Sequence, residues 1–271
     1  MESATGRGQT MAQGPGMMRV LDLFSGIGGF SLGLEMTKGF ETVAFCEIDP
    51  FCRKVLAKHW PGIPIFEDIT KLEKEELDGI GTIDVICGGF PCQDISCAGK
   101  GAGIHATRSG LWWEMLRIIR LVRPRYVLVE NVAALLNRGL DEVLGSLAES
   151  GYDAEWTCLR ASDFGAPHRR ERIFIMAHAA KLKNSGECIN ENSVKHRLPA
   201  RKSGRSCLGK RGESRKWIPE PSIRRVVDGF PARVDRLRGL GNAIVPQCAS
   251  SVGECVLAFE EREGRAYEEP A

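Results

Sequence analysis

The fold is decided by the stretch Leu21-Asp22-Leu23-Phe24-Ser25-Gly26-Ile27-Gly28-Gly29, in which a short apolar strand runs into a glycine-rich turn and then a helix. Glycines let the backbone approach a ligand closely, and the start of a helix offers free N–H groups. Ser31 stands where a third glycine would complete the dinucleotide-binding pattern G-x-G-x-x-G. This departure disfavours a dinucleotide and leaves a nucleoside-type ligand open. The alternative is a tight strand-to-helix turn that binds nothing.

Strand-like and helix-like segments alternate on either side of this stretch. Apolar segments of strand length lie at residues 19–24, 42–47, 83–87, 126–130 and 172–177, with a weaker one at 154–159. Helical periodicity is found at residues 29–37, 50–58, 111–121 and 140–149, and residues 245–260 form a closing amphipathic segment. Such alternation predicts an α/β fold, with a mostly parallel sheet and helices on both of its faces.

Size and composition set limits on the class of protein. With 271 residues, 43% of them hydrophobic, the chain can bury a full core as one large domain or as a domain with an added lobe. No apolar run reaches membrane-spanning length, and residues 1–17 lack an apolar signal core, so we expect a soluble, cytoplasmic protein that has no membrane partner. The ten cysteines form no CxxC pair, so we expect neither a disulfide scaffold nor a metal site.

Charge is distributed unevenly along the chain. The formal net charge is only +2, but residues 181–225 contain thirteen cations and four acids and therefore carry +9. Helical and strand periodicity both vanish in this segment. The asymmetry indicates a polyanionic partner for it, and a disordered insert or solvated loop is an equally good interpretation of the composition alone.

Two strands near the glycine turn end in residues that can bind or react. Glu47 lies nineteen residues after Gly28, an offset at which an acid can hold ribose hydroxyls, or otherwise cap a helix. Cys92 follows the apolar run 83–87 in the sequence Gly88-Gly89-Phe90-Pro91-Cys92-Gln93. Because Pro91 locks its own φ angle, we expect Cys92 to be held at a strand tip, where ligands bind in open α/β sheets.

Charged side chains appear at two further strand ends. Glu130 closes a continuously apolar strand, where a carboxylate is costly unless it has partners or a function. Arg170 and Arg172 occupy alternate positions, so an extended chain would point both to the same side. The alternatives are a helix cap or a salt bridge for Glu130 and a sheet-edge charge pair for the arginines. Residues 241–246, Gly-Asn-Ala-Ile-Val-Pro, form a turn that opens the last helix.

Taken in order, these segments resemble the cytosine-C5 DNA methyltransferase family over residues 19–177 and 233–260. The resemblance implies a doubly wound, Rossmann-like methyltransferase sheet with a small, irregular, basic recognition lobe. It also implies that the Cys92 thiolate adds to carbon 6 of cytosine and activates carbon 5 for methylation. Glu130 would hold ring N3 and the exocyclic amine, and Arg172, supported by Arg170, would hold the base carbonyl or orient Cys92 and Glu130.

The methyl donor implied by the resemblance is S-adenosyl-L-methionine. It would lie over the glycine turn, with its ribose on Glu47, its adenine against Ile48 and the adenine amino group on Asp68. The implied donor site comprises Phe24, Ser25, Gly26, Gly28, Gly29, Glu47, Ile48, Asp68, Pro91 and Asn242.

The other implied partner is double-stranded DNA, from which the target base must be flipped out. The implied DNA contacts are Ser96, Arg108, Trp217, Arg224 and Arg225, and residues 93–108 would form a lid. The resemblance also implies a division of the chain into five parts. These are a flexible segment 1–17, a catalytic domain 18–179, a short recognition region 180–228, a segment 229–262 that returns to the catalytic domain, and a tail 263–271. We expect a monomer that is bacterial, archaeal or phage-encoded. A cognate restriction endonuclease, if there is one, would act as a separate protein.

The chain departs from the family pattern at two places. His168 stands where a glutamine is common, and only residues 228–233 resemble the motif that usually precedes the last glycine-asparagine turn. Three alternatives remain open: a tRNA cytosine-C5 methyltransferase, a catalytically silent DNA-binding homologue and a nicotinamide dehydrogenase. The family's RNA branch carries a Cys-Phe-Thr signature that this sequence lacks, and the missing third glycine disfavours the dehydrogenase.

Overall fold

A computed structural model describes residues 16–91, 110–180 and 239–265. Its strands are β1 Met18–Leu23, β2 Phe40–Cys46, β3 Ile65–Phe66, β4 Val85–Gly88, β5 Tyr126–Val132, β6 Tyr152–Arg160 and β7 Glu171–Ala179. The α-helices are α1 Gly29–Glu35, α2 Pro50–His59, α3 Lys74–Asp78, α4 Gly110–Val122, α5 Leu140–Glu149 and α6 Pro246–Arg265. Short 3-10 helices occur at Ile69–Lys71, Ala133–Asn137 and Ala161–Phe164.

The seven strands form one sheet in the order β3-β2-β1-β4-β5-β7-β6. The pairs β1–β2, β2–β3, β1–β4 and β4–β5 are parallel, and β7 is antiparallel to both β5 and β6. From β1 the chain adds β2 and β3 toward one edge of the sheet, and it then adds β4 on the other side of β1. The strand order therefore reverses between β1 and β4. Ligands of open α/β sheets bind at such a reversal, outside the carboxyl ends of the strands.

The antiparallel direction of β7 brings its first residues to that same edge. In the register of β5 and β7, Val132 lies opposite Arg172 and Glu130 lies opposite Phe174. The start of β7 therefore meets the end of β5, although these segments are forty residues apart in the chain.

Two apolar layers cover the sheet, one on each face. Val127 and Val129 of β5 join the layer that contains Trp112 and Ile119 of α4, whereas Leu128 joins the layer built with α1 and α6. This alternation follows from the two-residue period of a strand. The predicted α/β fold, with a mostly parallel sheet and helices on both faces, is thus confirmed.

Several element bounds differ from those predicted, for local reasons. The strand predicted at 19–24 ends at Leu23, because Phe24 takes a left-handed φ of +54° that no strand continues. The weak segment 154–159 is the middle of β6, a half-buried strand of nine residues, all of which pair with β7. The sequence did not predict β3, α3 or the 3-10 helices, which are too short to show a period.

The predicted recognition region, the lid at 93–108 and the segment 1–17 lie wholly or almost wholly outside the described residues. Among the residues that are described, no helix is long and apolar enough to cross a membrane.

Candidate active site at the carboxyl edge of the sheet

The glycine turn after β1 is held by a compact set of hydrogen bonds. The Gly28 N–H donates to the Ser25 carbonyl at 2.9 Å, and the Ser25 hydroxyl donates to the Asp22 carbonyl at 2.6 Å. Gly28 has a φ of +83°, and a Cβ atom there would lie 2.5 Å from the Trp60 ring. A side chain at this position would therefore strain the backbone and collide with the indole, so the turn depends on glycine.

Glu47 connects the turn to the next strand. Its carboxylate accepts the N–H of Gly26 at 2.7 Å through one oxygen and the N–H of Asp49 at 2.8 Å through the other. The acid that caps α2 is Asp49, which accepts the N–H groups of Phe51 and Cys52 at 2.8 and 3.1 Å. Glu47 is thus not the helix cap of the alternative interpretation, and each of its oxygens has a lone pair left for a ligand hydroxyl.

A cavity of about 550 Å³ lies beside Glu47, between β3 and the loop after β2. Ile48, Phe66 and Leu72 supply apolar walls, and the Ile48 side chain is 71% exposed although it is apolar. Asp68 borders the same cavity, and hydrogen bonds from the Thr70 side chain and N–H lower the pKa of its carboxyl. Charged side chains complete the lining, so the cavity offers apolar and polar surface together.

The exit of β4 is packed directly against Glu130. A Cβ atom at Gly89 would lie 2.8 Å from Glu130 Oε2, so no larger residue fits without movement of the carboxylate. The Asn131 side-chain amide donates to the Phe90 carbonyl at 3.1 Å, and the Phe90 ring packs on Trp112 with 5.4 Å between centroids. These contacts fix the backbone up to Pro91, which leads directly into Cys92.

Glu130 is a buried acid with one cationic partner. It is 8% exposed, and its Oε1 lies 3.1 Å from Arg172 Nε. Burial raises the pKa of Glu130 to about 7, against the opposing effects of Arg172 and Arg170. Near neutral pH this carboxyl can therefore hold or release a proton.

Arg170 lies just before the strand that carries Arg172, and its backbone is not extended as the sequence pattern assumed. Its φ is +29°, and the extended chain begins only at Glu171. The Arg170 guanidinium instead donates from Nη1 to the Gly241 carbonyl at 2.8 Å and from Nη2 to the Ala243 carbonyl at 2.6 Å. The backbone at Arg170 therefore departs from the extended chain on which the expectation of alternate positions was based.

Residues 241–246 lie between the glycine turn and the exit of β4. A Cβ atom at Gly29 would lie 2.3 Å from the Ile244 carbonyl oxygen, and one at Gly89 would lie 3.6 Å from the Ile244 Cδ1 atom. The predicted donor-site residue Asn242 is thus in the segment that closes over the turn.

The structure brings most of the predicted site together and leaves some of it untested. Glu130, Arg172, Pro91, Glu47 and the glycine turn share one edge of the sheet, and Arg170 and Asn242 adjoin them. Cys92, Ser96, Arg108, Trp217, Arg224 and Arg225 lie outside the described residues. In the described part of the chain, no three His, Cys, Asp or Glu side chains are grouped as metal ligands.

Three residues that the sequence interpretation did not select also shape this edge. Trp60 lies against Gly28, Asn131 holds the Phe90 carbonyl, and Asp22 is 1% exposed within β1. Only Asp22 carried a sequence signal, as an acid between two leucines in an otherwise apolar strand.

A sheet with a glycine turn and an acid at the strands beside its reversal point, and a cavity next to them, is typical of α/β proteins that bind a nucleoside-type ligand. Residues 18–222 match the family model described as C-5 cytosine-specific DNA methylase. The chain therefore belongs to that family, which confirms the resemblance found in the sequence.

Individual relatives agree with this assignment. The type II methyltransferase M2.BsuMI of Bacillus subtilis is 39% identical over 168 residues, covering 59% of this chain and 42% of the relative. The type II methyltransferase M.Sau3AI of Staphylococcus aureus is 37% identical over 196 residues, covering 65% of this chain and 47% of the relative. The chain thus spans less than half the length of these curated relatives.

The solved structure of the S. pombe Dnmt2 methyltransferase is similar in fold. It superposes with a TM-score of 0.51 and 24% identity, covering 64% of this chain and 52% of that protein.

Proposed function

We propose that this chain transfers a methyl group from S-adenosyl-L-methionine to carbon 5 of a flipped-out cytosine in duplex DNA. The observation that supports it most directly is the buried Glu130 carboxyl, paired with Arg172 and packed against the glycine that leads to Cys92. Family membership and the type II methyltransferase relatives support the same reaction.

The residues present fit the methyl donor. The Gly26–Gly28 turn provides close backbone approach, Glu47 has lone pairs for the ribose, and the cavity beside Ile48 and Asp68 has room for the adenine. When bound, S-adenosylmethionine supplies an electrophilic methyl group on sulfur. The chain's own contribution is to orient that group toward the base-binding edge formed by Glu130 and Arg172.

The base is activated by the chain's own side chains. The Cys92 thiolate adds to carbon 6 of cytosine, and the electron pair moves toward carbon 5 while Glu130 holds a proton at N3. Arg172 fixes the Glu130 carboxyl and offers a donor to the base carbonyl. After methyl transfer, loss of the proton on carbon 5 expels the thiolate and restores the aromatic ring.

The setting of the reaction is part of the proposal. The basic segment within 180–228 would grip duplex DNA and choose a short site, while residues 18–179 and 229–262 carry the chemistry. The proposed protein is bacterial, archaeal or phage-encoded, cytoplasmic and monomeric, and acts separately from any cognate restriction endonuclease; the two type II relatives named above are bacterial.

The experiment is bisulfite sequencing of DNA from cells that express the chain, followed by methyl transfer assays with purified variants. We expect site-specific 5-methylcytosine with the wild-type chain and none with Cys92→Ala, whose DNA and donor binding should persist. The matched control is Cys255→Ala, an exposed cysteine on α6. Transfer by Cys92→Ala at the wild-type rate would refute covalent catalysis, and methylation of tRNA instead of duplex DNA would refute the substrate assignment.

A further inference from the structure

Arg170 holds the two peptide groups that flank Asn242. Its Nη1 and Nη2 atoms donate to the carbonyl oxygens of Gly241 and Ala243, at 2.8 and 2.6 Å. A planar guanidinium that donates two bonds fixes both the position and the orientation of what it holds. The backbone of Asn242 is therefore held from both sides by one side chain.

The same segment is pressed against the glycine turn from the opposite side. The Ile244 carbonyl oxygen would lie 2.3 Å from a Cβ atom at Gly29, and the Pro246 carbonyl oxygen would lie 2.3 Å from one at Gly33. Residues 241–246 are thus confined between Arg170 at the start of β7 and the turn that leads into α1.

The nearby acids are bonded to other cations. Glu130 pairs with Arg172 at 3.1 Å, and Glu171 pairs with Arg160 and Arg169 at 3.1 and 3.7 Å. The hydrogen-bond acceptors of Arg170 among the described residues are the two carbonyl oxygens. Arg170 also has an unusual φ of +29°, a backbone angle that a non-glycine residue keeps only where its surroundings hold it.

We propose that Arg170 is a positioning residue that acts through Asn242. Its two bonds to the Gly241 and Ala243 carbonyls link the base-binding edge to the donor site. Arg172 faces Glu130 and the base, and Arg170, two residues earlier, sets the segment that closes over the donor. Loss of the link weakens donor binding in the absence of DNA. The inference rests on the proposed function, because it assigns Asn242 to the donor site.

The test compares Arg170→Met and Arg170→Lys with the control Arg125→Met. Arg125 also ties the C-terminal segment to the sheet, but at the far end of α6, where it bonds Glu260. Calorimetry with S-adenosylmethionine and no DNA should show a dissociation constant raised about tenfold for Arg170→Met. Arg170→Lys, which keeps the charge and loses the two-carbonyl grip, should fall between Arg170→Met and the wild type, and Arg125→Met should match the wild type.

Two further measurements separate positioning from general damage. In the ligand-free protein, amide hydrogen exchange at residues 241–246 should speed up in Arg170→Met and not in Arg125→Met. The double variant Arg170→Met/Asn242→Ala should bind the donor no more weakly than Asn242→Ala alone, because both changes break the same link. At saturating donor, the fall in kcat of Arg170→Met should be smaller than its loss of donor affinity.

The outcomes separate the inference from the function on which it rests. Unchanged donor affinity in Arg170→Met together with a large fall in kcat would overturn the inference and place the effect of Arg170 on the base-binding side of the site. If Arg170→Met does not fold, the comparison of Arg170→Lys with Arg125→Met decides on the same criteria. A wild-type chain that binds no donor would overturn both, whereas a wild-type chain that binds and methylates alongside an unaffected Arg170→Met would overturn the inference alone.

Discussion

Single residues at this edge are governed by burial of charge. Asp22 has 1% exposure, and its Oδ2 accepts the Ser31 hydroxyl at 2.7 Å and the Ser31 N–H at 3.3 Å. Cys87 of β4 lies opposite Asp22 in the strand register, and its thiol contacts the Asp22 carboxyl. Burial raises the pKa of Asp22 to about 7, and the Ser31 and Cys87 contacts only partly oppose it.

This shift predicts a stability that depends on pH. The pKa of Asp22 is about 7 in the folded chain, whereas the ordinary value of 3.8 applies to the unfolded chain. Between these two pH values the folded state therefore binds more protons than the unfolded state. Stability should therefore fall as pH rises from about 4 to about 7 and stay flat above, with Asp22 contributing about 4 kcal/mol at most. The measurement is urea unfolding of the wild type and Asp22→Asn across that range.

The difference between the two proteins isolates Asp22, since Glu130 contributes a slope of the same sign to both. Ser31→Ala, which removes a contact that lowers the pKa of Asp22, should move the upper end of the window to higher pH. A stability difference between wild type and Asp22→Asn that stays constant from pH 4 to pH 8 would contradict the prediction.

At the scale of elements, the position of the site depends on how closely α1 and α6 pack. Gly33 of α1 is buried, and a Cβ atom there would lie 2.3 Å from the Pro246 carbonyl oxygen and 2.6 Å from the Ala249 Cβ. The glycine lets the start of α6 lie directly on α1. The backbone of residues 241–246 reaches the glycine turn because of this close contact.

Gly33→Ala is therefore expected to destabilise the chain, although alanine favours a helix more than glycine does. The clash involves backbone atoms that cannot rotate away, so we expect a loss of about 2–3 kcal/mol in the free energy of unfolding. Gly145→Ala is the matched control, because Gly145 is an exposed glycine inside α5 with no atom within 4 Å of the added Cβ. That variant should gain about 0.5–1 kcal/mol from helix propensity. Chemical denaturation of both variants checks the pair, and equal gains would show that α1 and α6 can separate without cost.

The sequence predicted those elements whose pattern is local. The apolar run of β5 and the periodicity of α5 were visible, and α5 has the predicted bounds of Leu140–Glu149. Strand β3 has two residues and no period of its own, because its place is set by pairing with β2. The turn at Arg170 was not predictable either, since the carbonyl groups that hold it lie 71 and 73 residues further along the chain. Glu130 and Glu47 were found because a charge at the end of an apolar strand is itself a local signal.

Charge at the scale of the whole molecule separates two functions. The chain carries +2 in total and residues 181–225 carry +9, so the remaining residues sum to −7. An acidic catalytic unit does not attract a polyanion by itself, whereas a strongly basic segment does so at long range. If the proposed function holds, we therefore expect the segment to bind the DNA and the sheet to carry the chemistry.

This division predicts that affinity for duplex DNA falls steeply with salt and that the slope belongs to the basic segment. Each phosphate contact contributes about −0.9 to the slope of log K against log salt concentration, so Arg201→Ser/Lys202→Ser should make the slope shallower by up to about 2. The matched control is Lys54→Ala/Lys58→Ala, which removes the same charge from two exposed positions of α2. Fluorescence anisotropy with a labelled duplex at several salt concentrations measures both slopes. If the two double variants shift the slope equally, DNA responds to overall charge and the segment has no special role in gripping it.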